Sequence, residues 1–269
     1  MSLEPRGGRA PFVLEKWYVD TLTPEGAVVI VYLGWLRVLG LRVARVTAEL
    51  FRPDGTTVRG QAKARVGRSA GDRLEFGPAT LRTDGLTWCT PGLAGELRFS
   101  PRHPPVTLLD PFLEENGRRV LWTVEVPDAE VTGELRWPGG GVDIAGRGYR
   151  DRVWLDFRPW RFPIRELRWG RAVSASHATT WVTARTGHHE VAGTWTDGEA
   201  CAGAAREPDL GRDRVLVEGR VADLEGLRLG ALRPLLRHLS GDPHLLKRAG
   251  SATLAGEPAV AVHERVVWG

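Results

Sequence analysis

Apolar and polar residues alternate along most of the chain. Segments such as LRVARVTAELF (41–51) and AVAVHERVVW (259–268) carry apolar residues, many of them β-branched, at every second position, which is typical of strands with one buried face. Turn-forming residues separate these segments, for example at Pro53–Gly55 and Asn116–Gly117. The pattern recurs in about thirteen segments, so it predicts an all-β protein of antiparallel strands.

The number of strands is larger than one small barrel holds. A turn-rich segment, PDAEVTG (127–133), lies near the middle of the chain, so we predict two barrel-like or sandwich-like domains, residues 1–130 and 131–269. Apolar residues recur at helical spacing only in Leu232–Leu239, before Gly241 and Pro243. This segment predicts a short helix near the C-terminus that covers a barrel as a lid or plug.

Composition excludes several classes of protein. With 42% apolar and 26% charged residues, the chain is globular and not disordered as a whole. The apolar stretch Ala27–Leu36 is too short for a membrane-spanning helix, and the N-terminal segment lacks a basic region followed by an apolar one, so we expect a cytoplasmic protein. Cys89 and Cys201 form no CxxC pattern and are predicted to be buried free thiols.

The chain is basic, with a net charge of +4, which raises the question of a nucleic-acid partner. Its arginines alternate with apolar residues and form no block, as expected for the solvated face of a sheet. We therefore expect no nucleic-acid partner. The eleven tryptophans are more unusual, because rings of that size either fill a core or line a pocket.

One segment combines aromatic and acidic residues in a pattern that suggests acid catalysis. If Gly148–Val153 is a strand, its period of two places Tyr149 and Asp151 on one face, and Arg150 and Arg152 on the other. A carboxyl group among aromatic rings is poorly solvated, which raises its pKa and keeps it protonated. Spacing alone favours a structural interpretation instead, with Tyr149 as a core residue and Asp151 as the partner of a neighbouring arginine.

The same segment carries a family resemblance. GRGYRDRVW (146–154), together with WGR (169–171), resembles the signature of the carotenoid 1,2-hydratase (hydroxyneurosporene synthase) family, which also includes lipocalin-like fungal Diels–Alderases. EKWYVD (15–20), WTVEVPDAEVTG (122–133) and AVHERVVW (261–268) are similar to further elements of that family. The resemblance therefore extends over nearly the whole chain.

The resemblance implies two lipocalin-like domains with a site for a carotenoid, terpenoid or polyketide polyene between them, and no cofactor. Asp151 and Tyr149 match the active-site Asp and Tyr of the family, and Trp122 matches their aromatic partner. In these roles Asp151 protonates an alkene, and the rings hold the resulting carbocation until water or a second double bond captures it. The further candidate contacts to substrate are Trp154, Trp169, Trp17 and Tyr18.

The chain also departs from the family. Val120 occupies the position where the hydratases carry a His, and Arg152 and Leu155 replace other typical residues. Without an imidazole to position water, isomerisation, cyclisation or a templated cycloaddition is favoured over hydration. A carrier of hydrophobic ligands without catalytic activity is the alternative from a different class.

A pair of histidines and an apolar segment raise the possibility of a metal site and of a membrane contact. His188, His189 and Glu190 are neighbours on a chain that alternates faces, and no HExxH occurs, so we expect no metal site. The apolar segment Val28–Leu41, with Arg37 and Arg42 at its edge, fits either a peripheral membrane contact or an ordinary buried hairpin.

Overall fold

The computed structural model describes residues 3–6, 10–38, 40–220 and 242–268. Strands form most of this part of the chain, and its one helical turn is the 3-10 turn Pro159–Arg161. The all-β prediction is therefore confirmed. The helix predicted at Leu232–Leu239 lies outside the described residues.

The strands are numbered in chain order. They are β1 (Phe12–Leu22), β2 (Val28–Val38), β3 (Leu41–Phe51), β4 (Thr57–Ala64), β5 (Val66–Ala70), β6 (Arg73–Phe76), β7 (Ala79–Arg82), β8 (Gly85–Thr90), β9 (Leu93–Pro101), β10 (Leu113–Glu115), β11 (Arg118–Trp137), β12 (Gly140–Leu155), β13 (Ile164–Val173), β14 (Ala178–Thr186), β15 (Glu190–Thr196), β16 (Glu199–Ala202), β17 (Asp209–Arg220), β18 (His244–Leu254) and β19 (Glu257–Val267).

The strands of the first sheet curl into a nearly closed barrel. Eleven of them follow in the order β4-β3-β2-β1-β12-β11-β9-β8-β7-β6-β5. The two end strands are consecutive in sequence, since β4 ends at Ala64 and β5 begins at Val66. One intervening residue spans at most about 7 Å, so the two edges must meet there. Gly60 of β4 also lies close to β9, because a Cβ at this position would come within 2.7 Å of the Leu93 backbone nitrogen.

The interior of this barrel holds the larger hydrophobic core. Side chains that are opposite each other in the register share a face, and the pair Trp17–Leu33 and the pair Val19–Val31 both point inward, where all four are fully buried. Trp154 of β12 belongs to the same core. The residues between them on β1, including Tyr18, therefore face the other side of the sheet.

Two compact units divide the chain, residues 1–111 with 118–156, and residues 112–117 with 157–269. Residue 130, where the sequence analysis placed the division, lies inside β11. The segment PDAEVTG contributes bulges to that strand, because its register with β12 shifts between Val124 and Val126 and again before Ala129. A proline is tolerated at such a bulge, where no ladder hydrogen bond is required of it.

The second unit contains a seven-stranded antiparallel sheet in the order β16-β15-β14-β13-β19-β18-β17. Its core cluster is rich in alanine and includes Ala172, Ala261 and Trp181. Gly170 makes room for the tryptophan, since a Cβ at this position would lie 2.7 Å from Cε2 of Trp181.

The structure bears on the predictions about the two cysteines and about membrane-spanning helices. Cys89 and Cys201 are free thiols, as predicted, but the predicted burial is wrong, because both are exposed. Cys89 alternates with the buried Trp88 on β8 and so points outward. Within the described ranges, no helix is long and apolar enough to cross a membrane.

Candidate active site

The candidate acid lies at the centre of the first sheet. β12 pairs with β1 on one side and with β11 on the other, which places Asp151 directly between Tyr18 and Val124. Tyr149 is two residues away on the same strand and therefore shares the face of Asp151. Trp122 is opposite Val153 on that face. The register thus gathers the three residues that the sequence analysis selected as catalytic.

Asp151 is held by two donors on one oxygen. The hydroxyl of Tyr149 and Nε1 of Trp122 each donate a hydrogen bond of 3.1 Å to Oδ2 of Asp151. The residue is only 2% exposed, and its second oxygen, Oδ1, is buried with no hydrogen-bond partner among the described residues. A buried carboxylate oxygen without a donor is costly, because nothing replaces the water that it lost.

Burial raises the pKa of Asp151 to about 7. Desolvation is the main cause, and the nearby charge of Asp20 adds to it. The ammonium group of Lys16 and the hydrogen bonds from Tyr149 and Trp122 oppose the rise, since they stabilise the charged form. The group is therefore a neutral carboxylic acid across much of the range below neutral pH.

Two other buried carboxylates of the first unit, Glu15 and Glu125, have cationic partners. On the inward face of the sheet, Glu15 accepts from Arg152 Nε at 2.8 Å, and Arg150 Nε lies 2.8 Å from Glu125. A guanidinium neutralises each of these carboxylates, whereas the donors to Asp151 are uncharged. Asp151 thus differs from Glu15 and Glu125 in having only uncharged hydrogen-bond donors.

These ion pairs explain the two arginines beside Asp151 in the sequence. Both point away from it into the barrel, as the period of two predicted. The guanidinium of Arg152 lies 4.8 Å from the ring centroid of Trp17, and Trp35 Nε1 donates to Glu15 at 2.8 Å. The arginines therefore stabilise the barrel interior and do not neutralise Asp151 directly.

Aromatic rings extend the site along β1 and β2. The ring centroid of Tyr18 lies 6.1 Å from that of Tyr149 and 5.2 Å from that of Tyr32. Lys16 Nζ lies 5.3 Å from the centroid of the Tyr32 ring. This face of the sheet thus combines a protonated acid with several electron-rich rings, which can stabilise a developing positive charge.

Two of the other predicted contacts lie on the opposite face of the first sheet. Trp17 and Trp154 are on the inward face of the barrel, so the structure does not bring them together with Asp151. Trp169 belongs to the second unit, where it is buried beneath Lys247, whose Nζ lies 5.8 Å from its ring centroid. Substrate contact by these three tryptophans stays a prediction. Tyr18 is the one predicted contact that shares the face of Asp151.

Lys16, Tyr32 and Asp20 are not among the residues predicted from the sequence to form the site. A signal for two of them was present, because in EKWYVD the period of two places Lys16 and Asp20 on the face of Tyr18. Tyr32 lies in a continuous apolar run whose faces cannot be assigned without the register. Across the part of the chain that the structure describes, no three His, Cys, Asp or Glu side chains are grouped to hold a metal ion.

The fold of this chain is similar to that of several proteins of known structure. No protein-family model matches the sequence, and no curated protein matches it. Among solved structures, a protein provisionally named AttH from Nitrosomonas europaea is similar over 99% of this chain and 97% of its own, with a TM-score of 0.58 and 14% identity. The fold is lipocalin-like.

Two other solved structures agree with that fold. CghA, which is also known in complex with Sch210972, is similar over 96% of this chain and 88% of its own, with a TM-score of 0.60 and 15% identity. Kievitone hydratase from Nectria haematococca covers 97% of this chain and 89% of its own, with a TM-score of 0.52 and 9% identity. Identities this low establish the shared fold and leave the reaction to be argued from the site.

Proposed function

We propose that this protein is an enzyme that protonates a carbon–carbon double bond of an apolar, unsaturated substrate, with Asp151 as the general acid. The observation that carries the proposal is the asymmetry of the Asp151 carboxyl group. Both neutral donors bind Oδ2, while Oδ1 is buried and has no hydrogen-bond partner among the described residues.

This asymmetry determines where the proton lies. An oxygen that accepts two hydrogen bonds is the carbonyl oxygen of a carboxylic acid, so the proton of neutral Asp151 belongs on Oδ1. Because no group among the described residues accepts from Oδ1, no such acceptor competes with a substrate for this proton. A pKa of about 7 matches that of an effective general acid near neutral pH.

The proposed step conserves atoms and charge. The π electrons of the alkene form a C–H bond with the proton of Oδ1, the O–H bond breaks, and Asp151 becomes a carboxylate beside a carbocation. The faces of the Trp122 and Tyr149 rings stabilise that cation. Loss of a proton from a neighbouring carbon, or from an added water molecule, then returns Asp151 to its acid form.

The fate of the carbocation separates isomerisation or cyclisation from hydration. Kievitone hydratase, one of the structural neighbours, is named as a hydratase. In this chain, Val120 lies two residues from Trp122 on the same face and is 3% exposed. An apolar side chain at this position does not orient a water molecule, so we favour isomerisation or cyclisation over water addition.

Isotope labelling tests the proposal. Apolar extracts from carotenoid- and terpenoid-producing cells are incubated with the protein in D2O enriched in ¹⁸O and profiled by mass spectrometry. Proton transfer predicts a product with deuterium on carbon, and ¹⁸O accompanies it only if water captures the cation. Asp151→Asn should lower its formation by about a hundredfold or more, while Asp143→Asn, at an exposed position of the same strand, should not.

Other outcomes would contradict acid catalysis. A product without deuterium, formed equally by the wild type and Asp151→Asn, would indicate a templated cycloaddition in which the site supplies shape alone. A ligand that is bound tightly and recovered unchanged would indicate a carrier. Binding without turnover would appear as quenching of tryptophan fluorescence, because Trp122 contacts Asp151 at the site.

A further inference from the structure

The face of the sheet that carries Asp151 continues as an apolar surface toward the β2–β3 hairpin. Leu155 lies four residues beyond Asp151 on the same face, a distance of about 13 Å along the strand. In the register, Leu155 is opposite Leu14, Leu14 is opposite Leu36, and Leu36 is opposite Val43. The first sheet therefore bears a row of apolar side chains that begins on β12, the strand of the acid, and ends on β3.

The end of this row is exposed. We define the tip patch as Leu14, Leu36, Val38, Leu41 and Val43. Leu41 is 74% and Val43 is 53% exposed, and the other three are half-buried and absent from the barrel core cluster. Soluble proteins rarely expose apolar side chains that adjoin in this way unless another molecule covers them. The alternative of an ordinary buried hairpin is wrong for the end of the segment Val28–Leu41.

Cations surround the tip patch. Residues 27–48 and 55–71 contain no acidic residue, although together they hold seven arginines and lysines. Arg37 is directly opposite Arg42, and Arg45 is directly opposite Lys63. Like charges in such pairs repel each other and destabilise a hairpin. Arg42 and Lys63 are exposed and make no ion pair with any described residue, so their charges are available to an external anion.

We propose that the tip patch docks onto a lipid bilayer that contains anionic lipids. Leu41 and Val43 would enter the region between headgroups and acyl chains, while Arg42 and Lys63 bind the lipid phosphates. Exposed apolar side chains flanked by cations have the two properties that interfacial binding needs. The tip patch also lies on the face of Asp151, so a water-insoluble ligand can leave the bilayer beside the apolar row.

Vesicle sedimentation tests this surface. The whole protein is mixed with phosphatidylcholine vesicles or with vesicles that also contain phosphatidylglycerol. Anionic vesicles should bind the wild type at least about tenfold more tightly than neutral ones, and salt should weaken the binding. The double variant Leu41→Asn/Val43→Asn should bind about tenfold more weakly or worse.

The control is Val142→Asn, because Val142 is 42% exposed at the opposite end of β12. It should bind vesicles like the wild type, within about twofold. Equal binding by the wild type and the double variant would overturn the proposal. The proposal would also be overturned if light scattering showed that the wild type is a dimer and the double variant a monomer, because the tip patch would then bind a second copy of the chain. Vesicle binding needs no catalytic turnover, so the result of this experiment does not depend on whether Asp151 acts as an acid.

Discussion

Replacing Asp151 with Asn should change how the stability of the protein depends on pH. In the folded protein the pKa of Asp151 is about 7, compared with 3.8 for an unperturbed carboxyl group. The folded state therefore holds a proton that the unfolded chain releases as the pH rises. The contribution of this group to stability is complete below about pH 4 and is lost as the pH rises through about 7.

The magnitude follows from the two pKa values. Between about pH 4.5 and about pH 7.5, this one carboxyl group should lower the free energy of unfolding of the wild type by about 3 kcal/mol. Asn has nearly the same shape, still accepts from Trp122 and Tyr149, and does not titrate. The variant should therefore gain about 3 kcal/mol relative to the wild type over the same pH interval.

Urea denaturation at a series of pH values, followed by tryptophan fluorescence, measures this difference. The difference in the free energy of unfolding between the two proteins isolates the contribution of Asp151, because every other titratable group is present in both. Asp143→Asn, an exposed carboxyl on the same strand, should differ from the wild type by less than about 0.5 kcal/mol at every pH. If the Asp151→Asn difference stayed constant with pH, Asp151 would be ionised throughout and the assignment of a buried acid would fail.

Four other outcomes are expected. Product formation should fall about tenfold per pH unit above about pH 7, as Asp151 loses its proton, which a pH–rate profile would show. Tyr149→Phe removes a donor that lowers that pKa, so the falling limb should move to higher pH. Arg152→Met leaves Glu15 buried without its cation and should lower stability by about 3–5 kcal/mol in urea denaturation. Gly148→Ala should cost about 1–3 kcal/mol, because a Cβ would lie 2.8 Å from a barrel-core ring.

Local rules were sufficient to predict much of the site. The period of two separated Tyr149 and Asp151 from Arg150 and Arg152, and the structure confirms this separation. Trp122 is 29 residues from Asp151 in sequence, and no local rule connects them. The family resemblance suggested this residue, and the pairing of β11 with β12 explains how it reaches the acid.

Other features depend on long-range register and could not be derived from the sequence. The approach of Lys16 and Tyr32 to the site requires the alignment of three strands, β2, β1 and β12. A shift of one residue would move either side chain to the barrel interior. Which oxygen of Asp151 accepts both hydrogen bonds likewise depends on side-chain geometry that the sequence pattern does not contain.

Turn-forming residues near residue 130 do not interrupt β11, although the sequence predicted a domain boundary there. Pro127, Asp128 and Gly133 are turn-forming residues, and in isolation they favour a break near residue 130. β11 continues through them because its neighbours, β9 and β12, pair with it on both sides. The strand absorbs the proline in a bulge, so tertiary pairing overrides the local turn preference.

The protonation state of Asp151 tests the central claim most directly and requires no substrate. Aspartate labelled with ¹³C at the side-chain carboxyl carbon gives one NMR resonance per residue, and Asp151→Asn identifies the resonance of Asp151 by its loss. We expect that resonance to titrate with a midpoint near pH 7 in the wild type. A midpoint near 4, the ordinary value for aspartate, would show a charged carboxylate at neutral pH and would contradict its role as a general acid.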